Sequence, residues 1–197
     1  MLSKNYRIFY SKCMRNGRYH SISEFVPGRL IRVNDKMQQG YVYMLEEPAG
    51  ENFAVDFTPD LTPAQMLQMG VFEGHYLTDC QNEFPREWFE EGASNLSFSG
   101  PDVSKNCFKI KARLGRKEWI ARGWILPFDP DPRGWFQWYC RYWLGRRLPQ
   151  QDYRQIKRWK SFKRHQAQVL KNCPPGDITC RQKQRQALLQ WAYNPFF

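Results

Sequence analysis

Between residues 6 and 57 the apolar positions come in short runs separated by turn residues, a strand-like period rather than a helical one. Residues 6–10 form a β-prone run, and Asn16-Gly17 places a hairpin turn between it and residues 19–25. Residues 30–33 and 41–45 predict two more strands, split by the polar stretch 34–40. Residues 52–57 set Phe53, Val55 and Phe57 against Ala54 and Asp56, the alternation of a further strand. Thr62-Pro63 then opens a short helix, with Thr62 as its cap and Pro63 at its first position. Met66, Leu67 and Met69 are its apolar residues and Gly70 ends it. Residues 70–79 read as a loop whose glycines are too sparse for a phosphate-cradling or dinucleotide motif. Residues 85–91 predict a second short helix, closed by Gly92. Residues 92–104 form a polar connection. Residues 106–114 alternate Phe108, Ile110 and Ala112 with Lys109, Lys111 and Arg113, a half-exposed strand with a basic face.

The proline-rich stretch 127–132 breaks this pattern, and beyond it the period becomes 3.6. Helices are predicted at 134–147, 152–171 and 179–193. In the first, Trp135, Trp138, Tyr139, Tyr142 and Trp143 share one side, with Gln137 and Arg141 on a polar flank. In the second, Ile156, Trp159, Phe162 and Leu170 make the apolar stripe, opposite Arg154, Lys157, Arg158, Arg164, His165 and Lys171. In the third, Cys180, Ala187, Leu188 and Trp191 face inward, while Arg181, Lys183 and Arg185 crowd the first turns. Positive charge at a helix N-terminus runs against the macrodipole unless an anion is near. The fold class is therefore α+β. A mixed scaffold part, 1–128, precedes a basic aromatic three-helix part, 129–197, the two forming one unit.

Charge sharpens this division. Residues 133–197 carry 14 of the chain's 30 Lys and Arg but only Asp152 and Asp177 of its 19 acids, so the whole net charge of +11 originates there. Such asymmetry favours an anionic macromolecule, nucleic acid before membrane, and DNA before RNA. No apolar run approaches the roughly 18 residues of a membrane span, and the N-terminus lacks a secretory signal. The expectation is a soluble intracellular protein, cytoplasmic or in the nucleoid or nucleus. No cofactor signature is present. The three histidines are too far apart in sequence to argue a metal site. The six cysteines form no Cys-x-x-Cys pair and read as small buried hydrophobes. Cys173 and Cys180 bracket a Pro-Pro-Gly-Asp turn and could come close. Adding His165 or Cys140 would make a zinc site whose spacing fits no standard pattern.

For a nucleic-acid partner, the candidate contacts are Arg133, Gln137, Arg141, Arg146, Arg147, Arg154, Arg158, Arg164 and His165. A helix-turn-helix arrangement is a weaker fit, because the connections are not its usual short turn. Asp131, with Asp129, is conspicuous in a stiff loop beside the aromatic helix. Enzymes acting on bases flip the nucleotide against aromatic groups and use a carboxylate for the chemistry. Asp131 is thus the first catalytic candidate and Asp79, with Glu83 near His75, the second. Loop or capping roles are the simpler account of all four. No Ser/His/Asp arrangement or Gly-x-Ser-x-Gly elbow is present.

Residues 134–142, Gly145-Arg146-Arg147, Gln155 through Trp159, Arg164-His165 and 181–193 together resemble a family of uncharacterised proteins from bacteria, algae and fungi. Residues 70–74, Glu83 through Pro85 and Trp88-Phe89 resemble its middle region. The likeness implies relatedness and brings no mechanism. A link to DNA glycosylases of DNA modification or phage defence lacks both the uracil-type motifs and the helix-hairpin-helix signature. The expectation is a DNA-binding protein, extended in one version to a glycosylase-like hydrolase. The competing readings are an adaptor for an acidic protein and an RNA-binding protein using aromatics beside arginines.

Overall fold

The computed structural model describes residues 19–197; the strand expected at 6–10 and the Asn16-Gly17 turn lie outside them. The hairpin predicted from 30–33 and 41–45 forms as strands β1 (Leu30–Asp35) and β2 (Gln38–Met44), antiparallel, with an irregularity between Val33 and Asn34. Ile31, Val33 and Asp35 alternate inward along β1. Two apolar residues and one carboxylate thus enter the interior from one strand, which places a buried charge in need of a partner.

Seven helices follow among the described residues: α1 (Pro63–Met69), α2 (Arg86–Glu91), α3 (Arg116–Ala121), α4 (Trp135–Trp143), α5 (Pro149–Phe162), α6 (Arg164–Asn172) and α7 (Gln182–Leu189). Helix α1 starts where its sequence signal stands: Thr62 Oγ1 accepts from Gln65 N–H at 3.2 Å while Gln65 Oε1 accepts from Thr62 N–H at 2.9 Å. Helix α5 begins at Pro149, ahead of the expected start, because Asp152 Oδ2 accepts from Leu148 N–H at 2.7 Å. The single helix expected over 152–171 is two, parted at Lys163, whose N–H tightens onto Lys160 O at 3.2 Å. Helix α3 was not anticipated; the Glu118 carboxylate accepts from Gly115 N–H at 2.8 Å and closes its first turn.

Three expected strands are absent, each for a local reason. Residues 19–25 hold a short 3-10 turn, Ile22–Glu24, because Glu24 accepts from Ser21 N–H and Ser21 Oγ donates to Glu87. At 52–57 the chain turns through a Phe57 N–H to Ala54 O bond of 2.8 Å, burying Phe57 and leaving Val55 99% exposed. At 106–114 the buried Asn106 accepts from Glu73 N–H and donates to Ile110 O, both at 2.8 Å, which folds the segment on itself.

Phe57 is the aromatic hub of the core, with Trp138, Tyr139, Tyr142 and Trp159 at ring-centroid distances of 5.4, 5.7, 5.5 and 4.9 Å. The core cluster runs from Phe25 to Tyr193 and so draws on both sides of the 128/129 boundary. Residues 46–50 are laced to the end of α4: Glu46 and Glu47 N–H donate to Gly145 O, and Gly50 N–H donates to Trp143 O. Gly145 sits at φ +108°, and a Cβ there would lie 1.9 Å from Glu47 O. Gly145→Ala should therefore cost about 1–3 kcal/mol through strain and clash. Equilibrium denaturation tests this, and an unchanged midpoint would refute the close approach.

Candidate functional site

The arginines around α4 were expected on a phosphate-facing surface, and most are not there. Arg141, buried to 0% exposure, forms a two-pronged ion pair with Glu83, at 2.6 and 3.0 Å. It also donates to Asp131 Oδ1 at 3.1 Å, to Pro130 O and to Gln38 Oε1, and lies over the Tyr41 and Tyr43 rings. Arg146, 1% exposed, donates to Asp131 Oδ2 at 2.7 Å. Arg133 joins Asp79 at 2.9 Å and Asp35 at 3.2 Å, which answers the carboxylate carried inward by β1. Gln137 is buried, its Oε1 accepting from Arg133 N–H at 3.0 Å. Arg154 pairs with Asp129 and donates to Gln151. Arg147 stacks on Tyr142 at 4.1 Å and donates to the carbonyls of Tyr142, Arg146, Glu51 and Asn52. Arg185, expected near an anion at the start of α7, is also buried and donates to the carbonyls of Cys180 and Asp177.

The two catalytic candidates differ, Asp131 lying in the interior and Asp79 at the surface. Asp131 is fully buried; its Oδ1 accepts from Arg141 and its Oδ2 from Arg146 and from Gln151. Burial alone would raise its carboxyl pKa. The Arg146 and Arg141 guanidiniums outweigh burial and hold it below the usual carboxylate value. It is an ion-pair hub, without the raised pKa of a general acid and without an open face toward substrate. Asp79 lines a small cavity of about 210 Å³ with His75, Arg113, Arg116, Trp119 and Arg133. Its carboxyl is likewise held low, with burial opposed by Lys36 and Arg133. Glu83 is taken by Arg141 and by Tyr43 Oη, which donates at 3.1 Å.

Arg158, Arg164 and His165 are different: they line a cleft of about 540 Å³ between a flap, residues 116–126, and helices α5, α6 and α7. Gly134, at φ +92°, lies beneath the flap, where a Cβ would be in ordinary contact with Trp119 and Ile125 at 3.4 and 3.5 Å, so the backbone angle rather than space calls for glycine. Four tryptophans, Trp119, Trp124, Trp135 and Trp191, line the cleft with Arg113, Arg158, Arg164 and Lys183, and none of its lining residues is acidic. One wall is a ladder of rings. Trp135 meets Trp191 at 4.7 Å, Trp191 stacks on Phe162 at 4.7 Å and 11°, and Phe162 meets His165 at 4.4 Å.

Arg158 is the unusual group. Its Nη1 donates to Trp124 O at 3.0 Å and Gln155 Oε1 at 2.9 Å, and its guanidinium lies 5.6 Å from the Trp124 centroid and 5.4 Å from that of Trp191. Unlike Arg133, Arg141, Arg146 and Arg154, it forms no ion pair among the described residues. Burial, then the neighbouring Arg154, lowers its pKa to about 10. The His165 imidazole is also held below its ordinary value, by burial and then by Arg164. Tyr76 Oη, Trp135 Nε1 and Gln190 Nε2 are buried polar atoms of cleft-lining residues without a hydrogen-bond partner among the described residues. The cleft thus gathers cationic charge, flat apolar surface and unused donors, the complement of a planar anion.

Of the nine expected contact residues, only Arg158, Arg164 and His165 line this cleft. The sequence reading missed Trp119, Trp124, Arg113 and Trp191 as site residues, while Lys183 stood among the cations expected near an anion at the start of the last helix. For Trp119 and Trp124 the signal was the pair of tryptophans just ahead of the proline break, which counted only as apolar content. Cys173 and Cys180 are joined in a disulfide with Cα atoms 5.8 Å apart, in place of free thiols or a zinc site. Among the described residues, no cluster of three or more His, Cys, Asp or Glu could hold a metal ion. No helix among them is long and apolar enough to cross a membrane.

No family model, curated protein or solved structure matches the chain.

Proposed function

We propose that this chain is a nucleic-acid-binding protein whose contact surface is the aromatic, basic cleft and the helical face around its mouth. The observation that carries the reading is the composition of that cleft: four tryptophans, no carboxylate, and three cations, Arg158, Arg164 and Lys183, that form no ion pair among the described residues, while Arg113 is held by the buried Glu73. Lys157, Lys163, Lys171 and Arg181, exposed on or beside α5–α7, extend positive charge beyond the mouth. Cations unspent on internal partners are the ones available to phosphates, and each one neutralising a phosphate adds to the salt dependence. The reading is one of binding. A base-excising version would need an acid from outside the cleft, since neither Asp131 nor Asp79 is among its lining residues.

Fluorescence anisotropy with a labelled DNA strand, its duplex and the matching RNA, across a salt series, tests this. Wild-type affinity should fall steeply with salt. Arg164→Gln combined with Lys183→Gln should weaken binding and reduce the slope of log affinity against log salt by about 2. Arg154→Gln, which removes the partner of Asp129, should instead act through stability. Equal displacement by polyglutamate would overturn the assignment in favour of an adaptor for acidic proteins.

A further inference from the structure

The rings of the cleft are of two kinds. Those of Trp135, Trp191 and Phe162 pack on one another, tilted for the first pair and stacked for the second, and belong to the core wall. Trp124 differs: among the described residues its ring is flanked by two guanidiniums, Arg122 at 5.5 Å and Arg158 at 5.6 Å. It is half-buried and stands on the flap, held to the body through Arg158 Nη1 on its carbonyl at 3.0 Å. Both guanidiniums stand at cation–π distance, too far to be stacked on the indole, and an indole face flanked by cations suits a base whose phosphate those cations hold.

Resting on the nucleic-acid reading above, we propose that the cleft holds one unpaired nucleotide, with its base on Trp124 and its phosphate at Arg158, Arg164 and Lys183. Three features specify this ligand. The volume of about 540 Å³ is suited to a compact ligand and lies in the range of small-molecule sites, roughly 300–1,000 Å³. Arg158 is a half-buried cation with no ion-pair partner among the described residues, and a phosphate would supply the opposite charge. Gln190 Nε2, Trp135 Nε1 and Tyr76 Oη are unpartnered donors of cleft-lining residues, closed off from solvent as they stand, and a bound base or sugar would give them partners once the side chains turn toward it. A duplex keeps its bases stacked and paired, out of reach of such a platform, so the preferred polymer is single-stranded. The same chemistry could come from a free nucleotide or from one residue of a strand.

The test is displacement of a fluorescein-labelled single-stranded decamer by inorganic phosphate, a nucleoside, a 5′-mononucleotide, the unlabelled decamer and its duplex. The mononucleotide should displace at concentrations about tenfold or more below those of phosphate or nucleoside alone. The decamer should outcompete its duplex by at least about tenfold. Trp124→Ala should lose about 5- to 100-fold in decamer affinity, the range of one stacked base. Trp124→Phe should retain most of it. Circular dichroism and the Tm of each variant separate lost binding from lost fold, and Arg164→Gln, at an exposed position, gives a second variant.

Duplex binding as tight as single strand, or no loss in a folded Trp124→Ala, overturns the unpaired-nucleotide site while leaving the nucleic-acid reading intact. Mononucleotide binding without strand binding overturns that reading and supports the cleft as a free-nucleotide site. Binding of neither overturns both.

Discussion

Replacing Arg141 with leucine should destabilise the protein by about 3–5 kcal/mol, the usual consequence of stranding buried charges. The guanidinium answers Glu83 through two hydrogen bonds and Asp131 through a third, and all three side chains are nearly inaccessible to water. Removal leaves Glu83 with only Tyr43 Oη among these partners and halves the cationic support of Asp131. Arg141→Lys should fail as well, since one ammonium does not reproduce a planar fork. Urea denaturation measures the loss. A change below about 1 kcal/mol would mean that the network is dispensable. The double variant Arg141→Leu with Glu83→Leu should recover part of the loss, because the stranded carboxylate leaves with its partner. The same network sets the acid limit of the fold. The Asp131 carboxyl is held below its unfolded value of about 3.9. The stability it contributes is complete above that value and disappears as pH falls through the lower folded one. Acid unfolding should therefore steepen below about pH 4. An Asp131→Asn variant, already weakened at neutral pH, should show a shallower acid limb.

Reduction of the Cys173–Cys180 bond should remove about 2–3 kcal/mol, the entropy of freeing a loop this short in the unfolded chain. The bridge spans seven positions and ties the end of α6 to the residues before α7. Those helices carry Arg164, His165 and Lys183 to the cleft, so loosening their connection should weaken ligand binding along with stability. Cys173→Ser with Cys180→Ser should match the reduced wild type and show no further response to dithiothreitol. Identical denaturation midpoints for oxidised and reduced wild type would refute the contribution. The bond also runs against the expectation of free thiols in an intracellular protein, since reducing compartments oppose such bridges.

How far the sequence led can be judged from particular elements. The hairpin of β1 and β2 was legible because each strand alternates and a polar turn parts them. The start of α1 was legible because Thr62, Pro63 and Gln65 satisfy a cap whose chemistry is local. The aromatic stripe of α4 was legible as core, and Trp135 and Trp138 are buried accordingly. Residues 52–57 and 106–114 misled because alternation counts apolar side chains without asking whether a neighbouring strand exists. Phe57 is buried from a turn, and Asn106 supplies by side chain the hydrogen bonds a ladder would have given. The arginines misled more deeply. A guanidinium on a phosphate and one on a buried carboxylate look alike in sequence, and the partners Asp35, Asp79 and Glu83 lie 50 to 100 positions upstream. Much of the positive charge counted toward a ligand is answered within the fold, and what remains for the cleft is smaller and more localised.

That upstream placement bears on how the chain is made. During synthesis Asp35, Asp79 and Glu83 leave the ribosome long before Arg133 and Arg141, so the early segment holds the Lys36 ammonium for Asp79 but lacks the guanidiniums of Asp35 and Glu83. A nascent chain halted near residue 128 would lack both those guanidiniums and the rings of α4 that enclose Phe57. Closure then depends on contacts of high sequence separation, the class that forms late and slowly. Two fragments split in the exposed 126–128 segment should each be poorly ordered alone and should find one another in solution, the acids of the first drawn to the arginines of the second.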